Sequence, residues 1–120
     1  MTLSRLTIGS GLSLEPDFDP FTNQYTVKYP AGTTLLTGTA ERYNYLLADY
    51  VGRFSIIYNM EDGTTEYVTV NQSPPVPPGR FPAVNDFTLE TSDDVKSIVF
   101  PIIITDGIKR NTYRITWVKE

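Results

Sequence analysis

Apolar residues along this chain recur at every second position, the period of a strand with one buried face. In Tyr25-Thr-Val-Lys-Tyr29, the residues Tyr25, Val27 and Tyr29 share one face and Thr26 and Lys28 the other. Residues 112–118 repeat the pattern, with Tyr113, Ile115 and Trp117 set against Arg114 and Thr116. Each segment predicts a half-buried strand. Residues 5–8 alternate too and place Leu6 and Ile8 on one face.

Turn residues divide the remainder. Pro30 and Gly32 end the strand at Tyr29. Residues 54–58 and 66–70 flank Asn59-Met-Glu-Asp-Gly63, where Asp62-Gly63 tolerates positive φ, so a β-hairpin is expected. Further strands are expected at 87–89 and 97–105. Pro101 cannot donate a ladder hydrogen bond, so it marks an edge position or a bulge in the second of these. Asp106-Gly107 turns the chain into the last strand. Residues 46–51 fit a helical turn or a strand equally well. No segment shows a sustained helical period. The expected fold class is all-β: two antiparallel sheets packed face to face, with about seven to nine strands, forming a single domain over residues 1–120.

Residues 71–82 break the pattern. Five of the nine prolines fall between Pro74 and Pro82, which predicts an extended, polyproline-like loop. Neither flank is large enough to fold alone, so the loop is an insertion and not a boundary.

Composition narrows the chemistry. There is no cysteine and no histidine. Disulfides, thiolate zinc sites and Ser-His-Asp catalysis are therefore excluded. The net charge of −4, from 14 acidic and 10 basic residues, disfavours a phosphate backbone as partner. The apolar runs, such as Ile102 to Ile104, are far below a membrane span. No secretory signal is visible after Met1. With the last strand ending close to Glu120, a whole one-domain product is expected.

Both ends of the chain carry a larger pattern. The first is Leu3, Leu6, Ile8, Gly11, Leu14, Pro16 and Phe18, followed by Tyr25, Val27 and Pro30. The second is Ile104-Thr-Asp106-Gly107 followed by Tyr113, Ile115 and Trp117. Over residues 3–41 and 96–118 this resembles the cadherin-like β-sandwich domain, an immunoglobulin-like module of bacterial surface proteins and phage virion proteins. The resemblance implies that a loop through Pro16 and Phe18 crosses between sheets and plugs one end. It carries no catalytic residues. Residues 42–95 are longer than the family pattern, so what is particular to this chain is expected there.

Candidate sites follow from that placement. Tyr43, Tyr45 and Tyr50 join an apolar face to a polar tip, as interface residues do; filling the core is the competing role for Tyr43 and Tyr45. A carbohydrate platform would use the same rings. Pro75, Val76, Pro77 and Phe81 could dock in a neighbour's groove at low entropic cost. Asp17, Asp19 and Asp106 could contribute to a calcium site, but turn-capping accounts for them more simply. Asp49, Glu61, Asp62, Glu66, Asp93 and Asp94 could supply a hydrolase carboxylate pair, but nothing sets two of them at a defined separation. No cofactor, metal or catalytic residue is expected. The expected function is that of a non-enzymatic structural protein of a phage particle. It would be a capsid decoration or a tail or collar component, binding capsid or tail proteins or copies of itself, located in the virion. The alternative is a module of a bacterial cell-surface or polysaccharide-binding protein.

Overall fold

The computed structural model describes residues 1–48, 53–71 and 84–120, and every regular element among them is a strand. In chain order these are β1 (Leu3–Ile8), β2 (Leu14–Glu15), β3 (Gln24–Tyr29), β4 (Leu35–Arg42), β5 (Leu47–Ala48), β6 (Arg53–Met60), β7 (Thr65–Asn71), β8 (Val84–Glu90), β9 (Val95–Thr105) and β10 (Arg110–Lys119). The first sheet has the order β1-β4-β8. The second has the order β2-β3-β10-β9-β6-β7, with the short β5 paired to β9. The strand total exceeds the expected range because β2 and β5 have two residues each. Residues 46–51 resolve in part: Leu47 and Ala48 are strand, and 49–52 lie outside the described residues.

The alternating segments bury the predicted faces. Tyr25, Val27, Tyr29, Tyr113, Ile115 and Trp117 are all buried. Leu3, Leu36 and Leu89 meet them from the first sheet, within one hydrophobic cluster. Phe87 of β8 lies 4.8 Å from Phe100 of β9 and edge-on to Trp117 of β10 at 6.3 Å. These contacts close the core between the sheets. Each such side chain is worth ~1.5–3 kcal/mol when fully buried.

Three details differ from simple alternation. In β1 the buried residues are Leu3 and Leu6, three apart, and Ile8 is half-buried. The register against β4 shifts between Leu3 and Arg5, and the extra residue turns both leucines to the core. Next, the sheets are not wholly antiparallel, because β3 and β10 run parallel from Gln24–Arg114 to Tyr29–Lys119. Parallel neighbours need a long crossover, and here every strand between them in the chain supplies it. Finally, Pro101 sits in β9, whose pairing with β10 continues unbroken opposite Arg114. Among the described residues its other side has no ladder partner: β6 pairs with β9 only up to Val99, and the β5 pairing begins at Ile104. The missing N–H therefore falls where no ladder bond is required.

A polar network ties the N-terminal segment to β10. The Leu3 N–H donates to the Tyr113 hydroxyl at 3.0 Å, and that hydroxyl donates to the Pro20 carbonyl at 2.6 Å. Asn111 Nδ2 donates to the Met1 carbonyl, and Asn23 Nδ2 donates to Asn111 Oδ1 and the Thr112 carbonyl. Burial pushes the Tyr113 phenol above its ordinary pKa, so it stays a donor. Tyr113→Phe would strand the Leu3 N–H and the Pro20 carbonyl, costing about 1–3 kcal/mol. A urea midpoint equal to that of the unaltered protein would show that water replaces the hydroxyl.

The segment between β1 and β3 crosses from one sheet to the other. Phe18 is half-buried against the core and stacks on Tyr25 with centroids 6.2 Å apart. The Tyr25 hydroxyl donates to the Asp19 carbonyl at 2.6 Å. Phe18 and Tyr25 thereby close the end of the core at which β3 begins.

Candidate partner-binding surface

Strand directions place the candidate residues. Pairing of Leu3 with Arg42, of Arg110 with Thr105, of Leu47 with Thr105 and of Glu41 with Val84 sets the starts of β1, β8 and β10 and the ends of β4 and β9 at one end of the molecule. The start of β6 and the end of β7 lie there too, because Arg53 pairs with Asn71 and β6 runs antiparallel to β9.

Tyr43 and Tyr45 belong to the turn that leaves β4 at this end. The Leu46 N–H donates to the Tyr43 carbonyl at 2.9 Å, closing a tight turn. Arg42 and Leu46, on either side, are buried and anchor it. The two tyrosines between them point outward: Tyr43 is 46% and Tyr45 60% exposed. Their rings stack with centroids 6.0 Å apart and planes 18° from parallel. Nearly half of Tyr43 and more than half of Tyr45 faces solvent, so neither side chain is sealed in the core. Stacking fixes both rings and lowers the entropy lost when a partner covers them.

Tyr50, Pro75, Val76, Pro77 and Phe81 lie outside the described residues. The described residues that flank them, Ala48 and Arg53 for the first and Asn71 and Val84 for the rest, are at this same end.

Two residues that sequence reasoning passed over join the pair. Phe21, in the segment before β3, is 85% exposed, and Ile108, in the turn before β10, is 90% exposed. Both turns are held by Asp side chains: Asp19 Oδ1 accepts from the Phe21 N–H, and Asp106 Oδ1 accepts from the Ile108 and Lys109 N–H groups. Those bonds hold the Asp106 carboxyl below its ordinary pKa. The Thr105 hydroxyl donates to the Lys109 carbonyl, and Gly107 takes φ +95°, completing the second turn. Asp19 and Asp106 thus cap backbone, as expected. Among the described residues no group of three or more carboxylates is placed to hold a metal ion.

The opposite end has another character. Its turns carry Gly11, Gly32 and Gly63 at positive φ together with Glu61, Asp62, Asp93 and Asp94. Asp62 Oδ1 accepts from the N–H and hydroxyl of Thr64, which lowers the Asp62 pKa. Phe21, Tyr43, Tyr45 and Ile108 thus stand exposed at one end, while the other, where Leu35 is also exposed, carries Glu61, Asp62, Asp93 and Asp94. The chain matches no family model, no curated protein and no solved structure.

Proposed function

We propose that this chain is a non-enzymatic structural protein of a phage particle that works by protein–protein contact through its apolar end. The carrying observation is the collection of Phe21, Tyr43, Tyr45 and Ile108, all substantially exposed, on turns at one end. Aromatic anchors on short, hydrogen-bonded turns suit a permanent contact, because little ordering remains to be done on binding. The resemblance of residues 3–41 and 96–118 to the cadherin-like β-sandwich supports a module displayed on an outer surface. The absence of histidine and cysteine removes the commonest catalytic bases and thiol nucleophiles, which favours a binding role over an enzymatic one. The alternative module of a bacterial surface or polysaccharide-binding protein would use the same aromatic end, with sugar rings stacked on Tyr43 and Tyr45.

The test is to purify native particles and count copies of the chain, with Tyr43→Ser/Tyr45→Ser beside the unaltered protein. The particle reading expects regular, repeated copies. It also expects at least a tenfold loss of occupancy by the variant, about 1.4 kcal/mol, at an unchanged melting temperature. Recovery of the chain from cell walls instead, with none on particles, would favour the bacterial alternative.

A further inference from the structure

The second sheet is wider than the first. Among the described residues the first sheet ends at β8, and the Tyr58 hydroxyl of β6 donates to the Glu90 carbonyl at the end of β8 at 3.0 Å. Beyond that contact lies β7, whose described side chains Thr65 to Thr69 are exposed on both faces. Glu66 and Val68, paired with Tyr58 and Ile56, lie on its inward face, which no described strand of the first sheet covers. The result is a groove of about 350 Å³ lined by Tyr58, Met60, Glu66, Val68, Glu90 and Val95, among others. Its floor is apolar, with Val68 45% exposed. One wall is Glu90 at the end of β8 with Thr91 and Ser92 of the turn that follows, and among the described residues β8 pairs only with β4.

Charge selects the occupant. Glu66 and Glu90 stand on the two sides of the groove, and Glu61, Asp62, Asp93 and Asp94 occupy the turns at its mouth. Lys119 is already committed, at 2.9 Å to Glu61 and by a hydrogen bond to the Asp93 carbonyl. A second copy of this acidic groove would meet it with like charge. We infer that the β6–β7 overhang receives an extended cationic peptide of a partner protein, which adds as a fourth strand beside β8. Backbone bonds to β8 supply the pairing, alternate apolar side chains cover Tyr58, Met60 and Val68, and Lys or Arg side chains reach Glu66 and Glu90. This site lies away from the apolar end and does not depend on the reading given for it.

The probe is a fluorescein-labelled Val-Lys-Val-Lys-Val-Lys-Val peptide, followed by fluorescence anisotropy against the full chain. Expected are saturable binding that weakens with added salt, slowed hydrogen exchange of the outward β8 amides, and about tenfold weaker affinity for Glu66→Lys/Glu90→Lys. Glu66→Gln/Glu90→Gln should weaken binding less. It serves in place of the lysine pair should that variant melt early. Tyr43→Ser/Tyr45→Ser should bind like the unaltered chain. The inference is overturned by absent binding, by equal binding of the Val-Glu counterpart peptide, or by unchanged affinity in the charge variants. It is equally overturned by a dimer of the protein alone that Val68→Lys dissociates.

Discussion

Trp117→Ala should lower stability by about 3–5 kcal/mol, the usual cost of removing a large core aromatic. In a domain of this length that corresponds to a melting temperature roughly 10–20 °C lower. Trp117 is fully buried near the C-terminal end of β10, flanked by β3 and β9, with Phe87 edge-on from the other sheet. Its loss opens a cavity between both sheets, and strands paired on either side cannot collapse to fill it. The indole Nε1 is buried and has no hydrogen-bond partner among the described residues. Trp117→Phe should therefore cost far less than the alanine change, because it keeps most of the ring and deletes an unsatisfied donor. Thermal denaturation of the two variants decides the matter. Equal losses would mean that a phenyl ring recovers none of the packing of the indole. A Trp117→Ala protein melting with the unaltered one would place the side chain outside the core.

That expectation was legible in the sequence, and the reason is physical. Tyr113, Ile115 and Trp117 lie on a central strand with one face sealed by the other sheet, so strict alternation is enforced. The same holds for Tyr25, Val27 and Tyr29. Alternation says which face is buried but not which strand lies alongside, so the parallel pairing of β3 with β10 left no trace in it. In β1 the bulge replaces a spacing of two by a spacing of three at Leu3 and Leu6, and a search for alternation selects Leu6 and Ile8 instead. In β7 the apolar residues Tyr67 and Val68 are adjacent and fall on opposite faces. That pattern identifies a strand but gives no sign that both faces are open. Tyr43 and Tyr45 are picked out by residue type, as rings that join an apolar face to a polar tip. Phe21 and Ile108 are not. A lone apolar residue in a turn reads the same whether it plugs the core, as Phe18 does, or points away from it. Only the strand directions bring those turns to one end.

The second large effect is expected where the sequence offers no large residue. Gly38 faces the core from the middle of β4, paired with Ile8 on one side and Phe87 on the other. A Cβ there would stand 2.3 Å from Phe87 Cζ and 2.7 Å from Cε2, inside van der Waals contact. The Phe87 ring lies over the bare Cα, and Phe100 at 4.8 Å and the edge-on Trp117 block its retreat. Gly38→Ala must therefore push the ring off its rotamer or part the sheets, costing about 1–3 kcal/mol, and Gly38→Val should exceed that. If the ring is the cause, shrinking it must relieve the strain. Phe87→Leu alone removes packing and destabilises, yet Gly38→Ala added to Phe87→Leu should cost much less than it does in the unaltered chain. Urea denaturation of all four proteins measures this coupling. Strict additivity would locate the penalty in the β4 backbone and not in the Phe87 ring.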